Sequence, residues 1–414
     1  MCQRVTLALC LVLLSAVSTA QTRTVLPNPV AMPPSSRAAE AQIPITTVSS
    51  NPRSFGSLIE AAEFYSELPQ RGWQPVAGGP LLRQGESGPR VESLRQMLRL
   101  YGDYQLPSDR RVLLAYFDPD LEAALIRFQR RHGLKPDGIL GPDSLQAMNV
   151  APTQRAYQLL VNHERQLALR RIAPSRYVQV NVPGFQLRVF DRQQPVMEMK
   201  AIVGRRSRQT PTLQSEIRSL VLNPAWNVPK SIAYKDILPK WRDDRDYLDR
   251  HNMKIVSGWG QQKVWVDQQQ ADPEQLYRGR EYLRLYQLPG ANNALGQIKF
   301  DFPNPYAVYL HDTPSKSLFA SHQRAFSSGC VRLEDPQRLA TYLLGMQRLK
   351  KPLHQMLADS GTRRIRLSRP VGLYLTYWTA WLDPQQRLQL REDIYRQDPA
   401  KPSLGEADEI AMLN

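Results

Sequence analysis

Apolar residues in the first half of the chain recur at the spacing of amphipathic helices. Over residues 57–65 and 91–101 they fall at i, i+3 and i+4, the positions that one face of a helix presents to a core. Asp118 stands directly before a third run of this kind and is a typical N-cap residue. The pattern predicts an N-terminal helical segment over residues 56–80 and a compact unit of three helices over residues 81–150.

The pattern changes to alternation of apolar and polar residues after a helical connector at residues 151–175. Short alternating runs separated by Gly and Pro turns predict a mainly β domain over residues 176–370. Mixed, proline-containing sequence interrupts this domain at residues 229–288, and an interruption of that length usually forms a subdomain. Alternation from Val371 predicts a C-terminal strand extension over residues 371–414, packed on the sheet. The fold class expected is α+β multidomain.

The first residues have the pattern of an export signal. Arg4 precedes a short apolar run, and small residues end at Ala20, which predicts a signal peptide over residues 1–20 and a periplasmic protein. The run is shorter than the ~20 residues of a spanning helix, so we expect membrane contact only through this signal, with an uncleaved anchor as the alternative. Residues 21–55 hold six prolines and no apolar period, which predicts a disordered linker.

Composition narrows the choice of partner and cofactor. The chain has 414 residues, with 54 Lys and Arg against 38 Asp and Glu, and the formal net charge of +16 suits an anionic partner. Nucleic acid is disfavoured, because the chain carries an export signal and no basic–aromatic binding module. Three cysteines exclude a disulfide scaffold, and the scattered histidines lack paired-ligand spacing, so we expect no metal and no cofactor.

Signal cleavage would leave Cys330 as the one cysteine of the mature protein. In an oxidising compartment, such a residue is either incidental and buried or a reactive thiol. It follows the turn Ser327-Ser328-Gly329, whose glycine allows backbone N–H groups of Gly329 and Cys330 to converge on an oxyanion. His311 ends a strand-like run, where an imidazole would accept the thiol proton, although each residue alone also has an ordinary structural role. Arg332 adds charge that favours a thiolate and a substrate carboxylate.

Two groups of motifs resemble bacterial cell-wall enzymes. The group between Leu82 and Gly141, which includes Gly85, Gly88 and Asp137-Gly138, resembles the peptidoglycan-binding domain. The other resembles the signature of L,D-transpeptidases, the YkuD-like domain, in which a histidine precedes a Ser-x-Gly-Cys-x-Arg turn, here by the 19 residues from His311 to Cys330. The matching motifs are Leu82-x-x-Gly85-x-x-Gly88, Phe128-Gln129-x-x-His132-Gly133, Asp137-Gly138-x-x-Gly141, Thr210-Pro211, Asn223-Pro224-x-Trp226-x-Val228-Pro229, Asn293-Ala294-Leu295-Gly296 and Tyr309-Leu310-His311-Asp312-Thr313-Pro314.

The combination of modules resembles the YcbB-type branch of this family, over roughly residues 58–400. The resemblance implies a small three-helix peptidoglycan-binding domain beside a YkuD-like β-sandwich, with a capping subdomain inserted at residues 229–288. Many members have histidine where this chain has Ser328, which puts in doubt any mechanism that needs a second imidazole in the turn. His322 lies in a polar loop nearby, and we interpret it as a solvated residue.

The resemblance also implies an activity. Cys330 would attack the diaminopimelate carbonyl of a tetrapeptide stem, release D-alanine and pass the acyl group to an acceptor stem, giving a 3-3 peptidoglycan cross-link. His311 would act as base and then as acid. The residues implied in the turn, the oxyanion site and substrate binding are Ser327, Ser328, Gly329, Arg332 and Tyr309. The partners implied are donor and acceptor stem peptides, with other wall-synthesis enzymes as further candidates.

The motif leaves alternatives open. An L,D-carboxypeptidase and an enzyme that detaches a wall-linked lipoprotein would begin with the same acyl-enzyme. A non-catalytic peptidoglycan-binding protein is a remote alternative, because the residues of the motif around Cys330 are intact. If the insertion at residues 229–288 forms a lid, it would exclude water and favour aminolysis over hydrolysis.

Overall fold

A computed structural model describes residues 53–108, 111–278, 282–359 and 361–399. The predicted signal peptide, most of the predicted linker and the chain after residue 399 lie outside these ranges. Within them, no helix has the length and apolar character needed to cross a membrane. The described residues form ten α-helices and fifteen β-strands, which confirms the predicted α+β class.

The helices lie in three stretches of the chain. The first five are α1 (Leu58–Glu67), α2 (Pro89–Leu100), α3 (Pro119–Arg131), α4 (Pro142–Met148) and α5 (Pro152–Ile172). The insertion holds α6 (Lys230–Ile232), a π-helical turn (Ala233–Ile237), α7 (Leu238–Asp243) and α8 (Tyr247–Arg250). Two more, α9 (Pro336–Leu344) and α10 (Leu353–Ala358), follow Cys330.

Side-chain caps and prolines account for where the N-terminal helices begin. Asp118 accepts the backbone N–H of Leu121 at 2.8 Å, and Ser57 accepts that of Glu60 at 3.1 Å. Helices α2 to α5 each have a proline in their first turn, where the missing N–H costs no hydrogen bond. The sequence therefore determines these helix starts locally.

Helices α1 to α4 and the start of α5 surround one apolar core. Members of this core include Leu68, Leu94, Leu125 and Phe128, all buried. Burying each such side chain is worth roughly 1.5–3 kcal/mol, which offsets the entropy of ordering the segment. The expected helical segment and three-helix unit thus share a single core.

Fifteen strands complete the structure. In chain order they are β1 (Arg176–Asn181), β2 (Gln186–Asp191), β3 (Gln194–Gly204), β4 (Leu213–Leu222), β5 (Trp226–Asn227), β6 (Met253–Ser257), β7 (Val264–Val266), β8 (Arg284–Gln287), β9 (Ile298–Asp301), β10 (Leu310–His311), β11 (Ala325–Ser327), β12 (Val331–Leu333), β13 (Arg363–Thr376), β14 (Ala380–Leu382) and β15 (Leu388–Leu390).

Nine of these strands form the main sheet, in the order β11-β3-β12-β10-β9-β4-β13-β1-β2. The first half of β3 pairs with β2 and its second half with β12 and β11, so the sheet folds back on itself. Alternating apolar residues such as Val178, Val180 and Leu187 fill the enclosed core, and α9 adds Leu339 and Leu343 to it. This arrangement agrees with the predicted mainly β domain.

The C-terminal strands depart from the predicted arrangement. Strand β13 runs through residue 371 without ending there, so the boundary expected between residues 370 and 371 falls inside a strand. Its first half is charged and exposed, which hides the strand from an apolar pattern. The strand pair β14–β15 does not join the main sheet. Instead, Ala380, Leu388 and Leu390 are buried in the helical core.

The insertion has its own sheet and core. Strands β5, β8, β6 and β7 pair in that order, and Trp241, Ile255 and Leu285 are buried beneath them. The core of this subdomain extends from Trp226 to Leu295, which is wider than residues 229–288. Its two connections lead from β4 and into β9, which are neighbours in the main sheet.

A substitution at Asp118 tests the helical unit. Asp118 caps α3 and also pairs with Arg95 at 2.8 Å, whose side chain is only 1% exposed. We expect Asp118→Ala to lower the free energy of unfolding by about 2–4 kcal/mol, because a cap is lost and a buried guanidinium loses its counter-charge. Urea denaturation measures this. Asp143→Ala, in the exposed first turn of α4, is the control, and equal losses for both variants would contradict the assignment.

Candidate active site

Two short parallel strands bring the predicted site residues together. Strand β10 pairs with β12 in a register that places Leu310 opposite Val331 and His311 opposite Arg332. Alternate residues of a strand face the same side. Tyr309 and His311 accordingly face one cavity together with Cys330 and Arg332, and this cavity has a volume of about 670 Å³. Ser327 and Ser328 also line it.

The insertion supplies the opposite wall of this cavity. The lining residues that it contributes include Ile232, Asp236, Ile237, Lys240, Tyr247 and Met253. The insertion leaves the main sheet after β4 and returns to it at β9, two neighbouring strands. The cavity therefore has a floor from the main sheet and a roof from a separate subdomain.

Burial and one hydrogen bond define the state of His311. The imidazole is 4% exposed, and its Nδ1 lies 2.5 Å from the carbonyl oxygen of Asp312. A carbonyl only accepts, so Nδ1 carries the proton and Nε2 is the basic nitrogen. Burial, with Arg332 and Lys299 adding to it, lowers the pKa of His311 to about 3. The imidazole is thus neutral at physiological pH.

The Asp312 backbone is itself held in place. Its carboxylate accepts the backbone N–H of Gln297 at 2.9 Å and pairs with Lys316 Nζ at 2.7 Å. Gly296, at φ 58°, leaves the space that this carboxylate occupies, where a Cβ would collide with it. The motif Asn293-Ala294-Leu295-Gly296 therefore acts on His311 indirectly, by fixing the residue that orients it.

Burial also determines the state of Cys330. Loss of solvent raises the pKa of the Cys330 thiol, and this outweighs the opposite effects of Tyr309, Lys299 and Arg332. Arg332 lowers the pKa of the thiol, as expected from the sequence, but the effect of burial is larger, so the resting thiol is protonated. Burial, with the neighbouring Cys330, also raises the pKa of Tyr309 well above its usual value. The thiol, the phenol and the imidazole are all uncharged.

Ser327 closes the turn before Cys330. Its hydroxyl donates to the carbonyl oxygen of Cys330 at 2.5 Å and accepts the N–H of Gly329 at 3.1 Å. Gly329 adopts φ 115°, and its carbonyl accepts from Thr210 Oγ1 at 2.8 Å. The N–H of Gly329 is therefore occupied, contrary to the expectation that it would face an oxyanion. The N–H of Cys330 has no acceptor within the described part of the chain.

Ser328 ties this turn to the insertion. Its hydroxyl accepts from Arg208 at 2.7 Å and from Arg205 at 3.3 Å. Arg208 in turn forms a two-point ion pair with Asp236 of the π-helical turn, at 2.5 and 3.3 Å. Sequence reasoning missed these two arginines and Asp236. In the amino-acid sequence, only one feature points to a role for the two arginines, namely their position between strand β3 and the motif Thr210-Pro211.

Two family models match the chain. Residues 175–365 match the model of the YkuD "L,D-transpeptidase catalytic domain", and residues 87–148 match that of a "Putative peptidoglycan binding domain". The chain carries a YkuD-type L,D-transpeptidase domain. The first match contains both strands of the site, and the second contains helices α2 to α4.

A curated relative agrees with this assignment. A Haemophilus influenzae protein (strain ATCC 51907 / DSM 11121 / KW20 / Rd) named "Putative L,D-transpeptidase" is 38% identical over 226 residues, which cover 53% of this chain. The chain spans 44% of that relative's length.

Solved L,D-transpeptidase structures show weaker likeness. The protein from Stackebrandtia nassauensis is 13% identical, with 73% of this chain and 97% of that chain covered and a TM-score of 0.26. The domain from Xylanimonas cellulosilytica is 13% identical, with 73% and 100% covered and a TM-score of 0.22. At such scores the likeness carries no argument, and the assignment rests on the family models.

Arginine side chains place positive charge in the cavity near Cys330. Burial lowers the pKa of Arg332, and Arg205, which lines the same cavity, lowers it further. The Nε atom of Arg332 is buried without a hydrogen-bond partner among the described residues. An anionic group entering here would therefore gain both a donor and a counter-charge.

The pH dependence of Cys330 alkylation tests the resting state. Because the thiol pKa is raised, we expect the iodoacetamide rate to increase with pH through and beyond ~8.5, the ordinary pKa of a thiol. Since His311 has a pKa of about 3, no second step should appear between pH 5 and 8. Mass spectrometry of the alkylated protein gives the rate, with Cys330→Ser as the blank. A rate plateau below pH 7 would indicate a thiolate–imidazolium pair and contradict this description.

Substitution of Arg208 tests the link between the turn and the insertion. We expect Arg208→Ala and Asp236→Asn each to lower kcat/KM of transpeptidation by about 10- to 100-fold, because the turn before Cys330 loses its position. Arg208→Lys should recover only part of the loss, since lysine lacks the two-point fork. The adjacent, exposed Arg206→Ala is the control. Unchanged kinetics in Asp236→Asn would show that the insertion does not position the turn.

Proposed function

We propose that this protein forms 3-3 peptidoglycan cross-links through an acyl-enzyme on Cys330. The observation that supports this most strongly is the convergence of His311 and Cys330 on one cavity within an L,D-transpeptidase domain. The peptidoglycan binding domain of the same chain favours the same polymer as substrate. Both domains are consistent with an extracytoplasmic protein, and we propose a periplasmic location.

In the acylation step, the Cys330 sulfur attacks the carbonyl carbon at the diaminopimelate residue of a donor tetrapeptide. The Sγ–C bond forms as the thiol proton moves to Nε2 of His311, which Asp312 keeps directed by binding Nδ1. Collapse of the tetrahedral intermediate breaks the C–N bond to D-alanine. The imidazolium returns its proton to the leaving amine, and its low pKa favours that return.

The negative oxygen of the intermediate needs preorganised donors. We propose the N–H of Cys330 for this role, because the N–H of Gly329 already donates to Ser327 Oγ. Ser327 would maintain the shape of the turn, and Ser328 would hold it against Arg208. Removal of one such donor typically costs 10²- to 10³-fold in kcat.

Deacylation follows the acylation steps in reverse order, with a different amine as the attacking group. The side-chain amine of an acceptor stem attacks the thioester carbonyl and forms a C–N bond as His311 takes the amine proton. The C–Sγ bond then breaks, and His311 returns this proton to the Cys330 sulfur. Arg332 and Tyr309 would contact the stem, the guanidinium by binding a carboxylate. The insertion roof limits water, which favours transfer to an amine over hydrolysis by the carboxypeptidase or lipoprotein-detaching route. Stem peptides are the partners proposed, and other wall-synthesis enzymes are further candidates.

Product analysis with soluble disaccharide-tetrapeptide tests the proposal. We expect mass spectrometry to find a 3-3 linked dimer and free D-alanine with the wild-type protein and neither with Cys330→Ala. His311→Gln should lower the rate by about 10²- to 10⁴-fold. The exposed His322→Gln is the matched control and should keep full activity. Disaccharide-tripeptide as the sole product would identify a carboxypeptidase instead, and dimer formation by Cys330→Ala would exclude the proposed nucleophile.

The same nucleophile would be the site of carbapenem action. A carbapenem that acylates Cys330 should add its full mass to the wild-type protein and none to Cys330→Ala. Stoichiometric addition would also exclude a purely structural role for this domain.

A further inference from the structure

A lysine lies opposite His311, and the proposed reaction does not yet give it a role. Lys299 pairs with His311 in the antiparallel ladder between β9 and β10. Paired residues of neighbouring strands share one face of a sheet. The next pair of the same ladder, Phe300 and Leu310, is buried in the sheet core. Lys299 therefore lies on the opposite face, the one that also presents His311.

A carboxylate two residues along the same strand holds the Lys299 ammonium. Its Nζ lies 2.7 Å from Asp301 Oδ1, and the second carboxylate oxygen of Asp301 accepts from Arg364 at 2.7 Å. The side chains of Lys299 and Asp301 are only 23% and 21% exposed. Water and salt screen a partly buried pair less than a surface pair, so Asp301 restricts where this ammonium can lie.

The same ammonium also lies against the ring of Tyr309. Lys299 Nζ is 4.3 Å from the centroid of this ring, within the range of a cation–π contact. The Tyr309 ring in turn makes an edge contact with the His311 ring, with the two centroids 5.5 Å apart. Tyr309 thus has an ammonium and an imidazole as neighbours, and a displaced ammonium would leave the ring without one of its two contacts.

Both Lys299 and Tyr309 act on the Cys330 sulfur. Hydrogen bonding by Tyr309 lowers the pKa of the Cys330 thiol, and the positive charge of Lys299 lowers this pKa further, although burial outweighs both effects. A phenol can donate to the sulfur only while its ring is correctly placed, because hydrogen bonds weaken steeply as their geometry departs from linearity. The contact between Lys299 and Tyr309 supplies this placement.

We propose that Lys299 is a positioning residue, which holds Tyr309 so that the phenol reaches the sulfur of Cys330. Asp301 fixes the ammonium, the ammonium fixes the ring, and the phenol donates to the sulfur. The role of this arrangement in cross-linking rests on the proposed function, whereas the contacts themselves rest on the geometry. The competing explanation is that Lys299 supplies positive charge and nothing more.

Alkylation of Cys330 by iodoacetamide separates these explanations, because they predict opposite signs for Asp301→Asn. The rate is measured by mass spectrometry at about pH 8, below the ordinary pKa of a thiol. This substitution removes a negative charge, so an effect of charge alone would accelerate alkylation. We expect alkylation about two- to five-fold slower instead, because the ammonium loses its anchor. A faster or unchanged rate in Asp301→Asn would overturn the inference.

Substitutions of Lys299 itself test whether it acts through the phenol. Lys299→Met should slow alkylation about ten-fold in the otherwise wild-type chain, because the charge and the ring contact are both lost. In a Tyr309→Phe chain, which has no phenol, the same change should cost only about two-fold, from the lost charge. Lys299→Arg should keep most of the rate, since a guanidinium also packs on an aromatic ring. An equal loss from Lys299→Met in both chains would contradict the inference.

Lys200→Met is the matched control for these variants. Lys200 also lies in a strand of the main sheet and pairs with Glu334 at 3.3 Å, but it lies outside the lining of the cavity around Cys330. Its variant should react at the wild-type rate. Circular dichroism confirms folding, and Asp301→Asn keeps the test valid if Lys299→Met fails to fold. Iodoacetamide requires no stem peptide, so a failed cross-linking assay would leave this result unaffected.

Discussion

The parallel pairing of β10 with β12 is the contact on which the site depends. It spans two residue pairs, yet it places His311 and Cys330 on the same face of the sheet. A slip of one residue would turn either side chain into the core, because alternate residues of a strand face opposite sides. Strand β9 pairs with β10 on one side and β3 pairs with β12 on the other, and α9 packs against the core of the same sheet. The relative position of His311 and Cys330 therefore depends on only two residue pairs between β10 and β12.

Burial shifts the pKa values of His311 and Cys330 in opposite directions, and both shifts favour the uncharged form of the group. It lowers the pKa of His311 and raises that of the Cys330 thiol, so both groups rest uncharged. A neutral pair avoids the cost of desolvating an ion pair beneath the insertion. In the proposed reaction, charge would develop only as the thiol attacks, when the N–H of Cys330 and the nearby guanidinium groups of Arg332 and Arg205 would stabilise it. The resting site thus holds no thiolate.

Local patterns predicted much of the fold and less of the site. The N-cap at Asp118 and the alternation in β1 are visible in sequence because their causes lie within a few residues. The ion pair between Arg208 and Asp236 and the charged first half of β13 were missed, because no period or spacing marks a contact between distant segments. The raised pKa of Cys330 was also missed. The charge of Arg332 is readable from sequence, whereas burial exists only once the chain has folded.

Tyr395 supports the turn before Cys330 from behind. Its hydroxyl donates to the carbonyl of Gly204 and accepts the N–H of Thr210, whose side chain in turn holds Gly329. Tyr395 follows the nucleophile by 65 residues in the chain. The support of this turn therefore comes from a residue far along the chain from Cys330. Until Tyr395 packs, Gly204 and Thr210 lack these contacts, so the turn before Cys330 is fully supported only when the residues after β15 have folded onto it.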